Sequence, residues 1–239
     1  MKIFKFSVIF LCILFAIGFV IMAAMIIRQN TVDILINDNI NTLMHNVKYK
    51  NPAIITGVPV IKQKINCGYA CIEMLSEYLG GNGLLTEEIL FEKNGGKITA
   101  STNNGMYSEI KKRLPDYNIT QYKNLKNSEM IDKIYDSLLN RMPVIFSYAA
   151  LDDTAPDKAG ARKWTLHYGM VTEMNIPGNK IAVVNPYGYI ETYNLNDFLR
   201  ASRFENYENM EFYLKLGFAA GVFSKNTVYI TEDPLGYLK

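Results

Sequence analysis

The sequence predicts an α+β domain carried behind one membrane-spanning helix, and three features of its 239 residues lead there. An uninterrupted apolar run opens the chain. Helix-type periodicity fills the first half, and β-branched or aromatic runs broken by Pro177-Gly178 and Pro186-Tyr187-Gly188 fill the second. Helices first and antiparallel-type strands afterwards argue α+β rather than alternating α/β.

The opening run, "FSVIFLCILFAIGFVIMAAMII" from Phe6 to Ile27, holds 22 residues without a charge. At about 1.5 Å per residue that is long enough to cross roughly 30 Å of hydrocarbon. A signal peptide would have a shorter apolar core and a small-x-small cleavage site. The reading is therefore a retained anchor over residues 1–28, with signal cleavage and secretion as the alternative. Lys2, Lys5 and the terminal amine outnumber Arg28 beside the membrane. That bias favours the N-terminus inside and the domain outside, a single-pass cell-membrane protein with an extracytoplasmic domain. Cys12 lies in mid-span as filler.

Residues 29–53 have apolar positions three or four apart (Val32, Leu35, Ile36, Ile40, Leu43, Met44, Val47) and predict a juxtamembrane helix or stalk. The domain proper is expected over 54–239. "IITGVPVIKQ" reads as extended, because Gly57 and Pro59 interrupt any helix. Asn66 is a good N-cap for a helix with an apolar stripe at Ala70, Cys71, Met74, Leu75 and Tyr78, ending at Gly80-Gly81. Thr86 caps "EEILFEK"; further helices are expected in "GMYSEIKKRL", stopped by Pro115, and in "NSEMIDKIYDSLLNR". Then come a buried strand in "MPVIFSYAA", a polar loop "DDTAPDKAGARK", and strands in "WTLHYGMVTEM", "KIAVVNPYG" and "YIETYNL". "NDFLRAS" reads as a short helix and "AAGVFSKNTVYIT" as a closing strand or hairpin.

Beyond residue 28 there are 22 basic and 23 acidic residues, a near-neutral balance that gives no footprint for nucleic acid. Two histidines far apart and no close Cys/His spacing leave no zinc cage, and no cofactor motif is present. Cys67 would sit in the first turn of its helix, where the positive end of the macrodipole and unpaired N–H groups favour a thiolate. A thiolate nucleophile needs an imidazole, and the chain offers His45 and His167. His45 falls in the stalk and is the poorer candidate. His167 lies in a strand-like run, and Asn185 ends the next one, able to accept an imidazole N–H. Gln63, four residues before Cys67, could donate to an oxyanion beside the Cys67 N–H.

Taken singly, each of these has a plain reading: core thiol, satisfied histidine, turn asparagine. Cys71 invites a disulfide with Cys67, but residues four apart on a helix have Cβ atoms about 5–6 Å apart, beyond the roughly 3.5–4.5 Å a disulfide wants. Cys71 therefore reads as a buried core thiol. Taken jointly, a helix-start Cys preceded by Gln, with His and Asn on successive later strands, is what a Cys-His-Asn hydrolase requires.

"VPVIKQKINCGYACIEML", "MPVIF", "LHYGMVTEM" and "KIAVVNPYG", in this order over roughly residues 54–202, resemble the papain-like cysteine peptidases of the bacteriocin-processing, double-glycine-leader type and their stand-alone relatives. The resemblance implies a papain-like fold with Cys67 as nucleophile, His167 as general base and acid, Asn185 as orienting residue and Gln63 as oxyanion donor. Two departures stand out. Gln63 lies closer to the cysteine than is usual there, and the third member is Asn185 where these peptidases commonly carry Asp. The leader-cleaving relatives are fused to transporter segments, whereas this chain has no ATP-binding motif. The expected function is a membrane-anchored extracytoplasmic cysteine peptidase acting on a peptide or protein substrate. The competing readings are acyl transfer or cell-wall amidase chemistry with the same triad, and a non-catalytic module that binds a peptide or partner.

Overall fold

The computed structural model describes residues 2–151, 163–205, 207 and 209–233, with side chains from residue 11 onward. In chain order it comprises α1 (Lys2–Ile36), α2 (Asn41–Met44), a single 3-10 turn (Val47–Tyr49), β1 (Ala53–Ile54), α3 (Cys67–Tyr78), α4 (Glu87–Lys93), α5 (Asn103–Arg113), β2 (Asn118–Tyr122), α6 (Asn127–Leu139), β3 (Val144–Leu151), β4 (Trp164–Asn175), β5 (Lys180–Asn185), β6 (Tyr189–Tyr193), α7 (Leu195–Ser202), α8 (Phe212–Ala220) and β7 (Thr227–Glu232). The polar loop expected after β3 lies, except for Lys163, outside the described residues.

The strands form one antiparallel sheet in the order β2-β7-β3-β4-β5-β6, with β1 added to β4. Alternation along each strand sorts side chains to two faces. Val144, Phe146, Tyr148 and Ala150 of β3 join Val228 and Ile230 of β7 on the face covered by α6 and α7. Ile145 and Tyr229 turn the other way, to meet α3, α4 and α5. The domain is thus a helix–sheet–helix sandwich. A smaller cluster of Phe204, Met210, Leu214 and Phe218 closes over Ala149.

Between Val171 and Glu173 the β4–β5 register shifts. The bulge places Val171 and Met174, three residues apart, on the same face. Thr172 carbonyl accepts from Ile55 N–H at 2.8 Å there, which lets β1 join the sheet.

The expected juxtamembrane helix is present in pieces. α1 runs on to Ile36, which is buried, and then breaks at Asn37–Ile40. Asp38 accepts from the N–H and hydroxyl of Ser128 at the start of α6. Lys48 pairs with Asp132 and Asp136, and the Tyr49 and Tyr135 rings meet edge to face at 4.9 Å. Residues 37–53 therefore dock on the α6 side of the sheet. Two elements were not anticipated. β2 is only five residues long, and α8 has Gly217 inside it, where a Cβ would stand 2.4 Å from the Phe223 ring.

Phe146 is fully buried, stacked on Tyr148 at 4.6 Å and tilted against Phe198 at 5.0 Å. Phe146→Ala is expected to lower unfolding free energy by about 3–5 kcal/mol. Denaturant titration of the detergent-solubilised protein measures this; a loss under about 1 kcal/mol would mean that the α6/α7 face is not packed as described.

Candidate active site

β5 ends at Asn185, and its ladder with β4 reaches only to the Met170–Val184 pair. Beyond that point, toward Trp164, β4 keeps its β3 ladder but not β5, with an isolated parallel bridge from Trp164 to Met210. This leaves a notch at the sheet's edge. α3 packs against β4 there, and its first residue is Cys67.

The helix begins where it does because Asn66 caps it, its side-chain oxygen accepting from Gly68 N–H at 2.9 Å and Tyr69 N–H at 3.4 Å. Gly68 is needed for close approach. A Cβ there would sit 2.5 Å from the Ala100 carbonyl oxygen and 2.8 Å from Ala100 Cβ. The preceding loop is held by Glu87, a buried carboxylate in the first turn of α4. Its two oxygens accept the backbone N–H groups of Lys64 (2.8 Å), Ile65 (2.9 Å) and Asn66 (2.9 Å). Sequence reasoning placed Glu87 only within the Thr86-capped "EEILFEK" helix. The available signal was a carboxylate just behind a Thr cap in a helix that ends up beside the cysteine.

Gln63 is drawn to the same place by its backbone, whose N–H donates to Pro186 carbonyl at 2.6 Å. Its side-chain Oε1 is buried and takes no hydrogen bond. Leaving such an oxygen unpaired costs about 1–3 kcal/mol, a cost that native proteins tolerate mainly at functional sites.

His167, on β4, is buried and stacked on Tyr187 with ring centroids 4.4 Å apart; the Tyr148 ring approaches edge-on at 5.5 Å. Its Nε2 lies 2.9 Å from Asn185 Oδ1. The Asn185 amide orientation follows from its other partners. Tyr187 N–H donates to the same Oδ1 at 2.9 Å, closing the turn, while Nδ2 donates to Glu191 at 3.1 Å and Tyr189 hydroxyl at 3.4 Å. An oxygen facing Nε2 requires the proton on Nε2. The neutral ring is therefore the Nε2–H tautomer, and Nδ1 carries its lone pair.

Burial pushes the Cys67 thiol up to about 11, outweighing the nearby backbone N–H groups of Tyr168, Gly68 and Cys67 itself. The helix start alone was expected to favour the thiolate. Desolvation wins because the sulfur is enclosed between α3 and β4. Cys71, one turn on, is fully buried, and burial raises its thiol as well. Cys12, Cys67 and Cys71 are all free thiols. His45 is exposed at the C-terminal end of α2, away from these residues in the chain. Among the described residues no three His, Cys, Asp or Glu side chains gather as a metal site would need.

Glu87→Gln keeps the shape but retains one acceptor oxygen and turns an NH2 donor toward the loop N–H groups, so at least one of the three acceptor bonds is lost and the rest lose their charge. It is expected to destabilise the fold by about 2 kcal/mol or more and to speed amide hydrogen exchange at Lys64–Asn66. Unchanged exchange at those three amides would show that the carboxylate does not order the loop.

A family model described as Peptidase C39-like matches residues 55–218, more than half of the chain. No curated protein matches it. Those matched residues contain α3, the whole sheet except β1 and β7, and every residue of the notch described above. The helices on an antiparallel sheet are those of a papain-like fold, and the chain belongs to the Peptidase C39-like family.

Proposed function

We propose that this chain is a membrane-anchored, extracytoplasmic cysteine peptidase in which Cys67, His167, Asn185 and Gln63 form the catalytic group. The family supports peptidase-type chemistry on a peptide substrate. The observation that carries the site assignment is the 2.9 Å His167–Asn185 contact beside the half-buried start of α3. It leaves Nδ1 as the basic nitrogen of a ring whose other face is packed by tyrosine.

In this reading the Cys67 proton passes to His167 Nδ1 as sulfur attacks the peptide carbonyl, since a buried thiol rests protonated. The imidazolium donates its Nε2–H to Asn185 and is shielded by the Tyr187 ring. The tetrahedral oxyanion is held by the Cys67 N–H and the Gln63 side-chain amide. His167 returns the proton to the leaving amine, then activates water to release the acyl group from Cys67. One observation favours a second reading, a non-catalytic peptide-binding module: the same burial would suit a cysteine kept for packing.

Two measurements separate them. Hydrolysis of a fluorogenic peptide library by the detergent-solubilised chain is expected to fall at least about 10³-fold in Cys67→Ala, Cys67→Ser and His167→Ala alike. Activity surviving in Cys67→Ser would remove the nucleophile assignment. Iodoacetamide labelling of resting Cys67 is expected to be slow at pH 7 and to rise through the alkaline range toward about 11, because only the thiolate reacts and burial favours the protonated form below that value. Rapid labelling below pH 7 would mean that the site holds an ion pair at rest.

For the anchor, α1 is long and apolar enough to cross a membrane, and its midsection is bare, with Phe15 72% and Phe19 69% exposed. Past the apolar run the same helix continues into the domain, where Arg28 donates to the Ala219 carbonyl and Lys225 pairs with Asp33 at 2.6 Å. We read residues 1–28 as the anchor, 29–53 as a stalk docked on α6 and 54–239 as the peptidase unit. The chain is expected to stay with membranes after carbonate extraction and to keep its N-terminal residues by intact mass. A membrane-free product starting near residue 29 would establish cleavage instead.

A further inference from the structure

Asn185 carries no charge, so on its own it can orient an imidazole but cannot offset the positive charge that forms there. A carboxylate nevertheless stands directly behind it. Glu191, on β6, accepts from Asn185 Nδ2 at 3.1 Å and from Tyr148 hydroxyl at 2.6 Å. Tyr148 is itself the residue paired opposite His167 in the β3–β4 ladder. It reaches Glu191 because Gly169 leaves the way open. A Cβ at 169 would lie 3.0 Å from Tyr148 Cε1 and 2.9 Å from Val183 Cγ1. His167, Asn185, Glu191 and Tyr148 thus close a loop of contacts across four strands, β3 to β6.

We propose that Glu191 is a positioning residue for His167: it anchors the Asn185 amide from its N–H side and, through that amide, supplies the negative charge that an aspartate in place of Asn185 would have brought. The inference rests on reading His167 as the base of Cys67, but it concerns His167 itself and is tested there. An amide that donates to a carboxylate makes a charge-assisted bond roughly twice as strong as a neutral one, and such chains polarise along their length. The polarised Oδ1 accepts more strongly from Nε2–H. A carboxylate one amide away therefore favours the imidazolium over the neutral ring.

The titratable groups around that ring and Glu191 include Tyr148 from β3, Tyr187 from the turn after β5, and Tyr189, Glu191 and Tyr193 from β6, Tyr193 bonding Glu191 as well, while the Cys67 thiol of α3 lies at the backbone of neighbouring Tyr168. Glu87 acts on Cys67 from α4, but its oxygens are occupied by the loop N–H groups. Burial raises the Tyr148 hydroxyl well above its ordinary range, with the Glu191 charge adding to that, so it remains a proton donor to Glu191.

The chain has two histidines, which makes the test direct. The full-length protein, ¹⁵N-labelled at histidine in detergent micelles and carrying His45→Gln at an exposed position, leaves His167 as the one imidazole to titrate by NMR. Glu191→Gln keeps one oxygen to accept from Asn185 and Tyr148, removes the charge and replaces the second oxygen by an NH2 donor. Its His167 midpoint is expected to fall by about one pH unit, a tenfold change in acidity, with the Nε2–H tautomer kept. In an Asn185→Ala background the same Glu191→Gln change should shift the midpoint by less than half as much, because the connecting amide is gone. A Glu191→Gln midpoint equal to or above wild type overturns the proposal. A full-size shift in the Asn185→Ala background overturns the relay through Asn185. Spectral dispersion reports whether each variant is folded, and should Asn185→Ala unfold, the Glu191→Gln result decides alone. If His167 responds as expected while Cys67 proves unreactive, the peptidase reading fails and the role of Glu191 stands.

Discussion

The structure depends on β4 outlasting its β5 partner. Twelve residues long, it pairs with β3 along its first eight residues, with β5 only from Met170 onward, and with β1 at its bulge. Among the described residues, 165–169 have no partner strand on the β5 side, and Trp164 is bridged there to Met210. α3 uses that flank. Its apolar sides bury against β4 while its first turn meets the notch, so one helix serves both the core and the site.

The turn after β5 supplies the opposite wall by an equally local device. Asn185 folds the Asn-Pro-Tyr-Gly turn by accepting Tyr187 N–H, and Gly188 completes it with a positive φ of 95° and an N–H donated to Asn185 carbonyl. The same Oδ1 faces His167. Turn chemistry and imidazole orientation are therefore one arrangement of one side chain, which explains why reading Asn185 as a turn former and reading it as an orienting residue are compatible.

Electrostatically the site balances two opposed effects. The start of a helix pulls a thiol toward ionisation, whereas enclosure between α3 and β4 pushes it back, and here enclosure is the larger. The outcome is a Cys67 thiol held toward its protonated form, so in the proposed mechanism attack needs His167 to take the proton. His167 is packed by the Tyr148 and Tyr187 rings and tied at Nε2 to Asn185, which is why the proposed influence of Glu191 is routed through that amide.

Much of this was legible in the sequence. The apolar run of α1, the Asn66 and Thr86 caps, and the β-branched composition of β3, β4 and β5 are local signals, because capping, periodicity and turn chemistry act over a few residues. Cys67 and Asn185 were legible as candidates for the same reason, each standing at an identifiable end or turn of an element, and His167, inside β4, because the chain has two histidines. What the chain does over long range was not. No spacing announces that Glu87 reaches back 21 to 23 residues to hold the loop before Cys67, or that Tyr148 meets Glu191 across a gap left by Gly169. Nor could helix-start position alone tell how deeply the thiol would be enclosed, since desolvation depends on neighbours brought from β4. Element type and candidate chemistry follow from the sequence by itself; register, burial and the partners of buried charges are decided only when the sheet assembles, because those quantities belong to pairs of segments far apart in the chain.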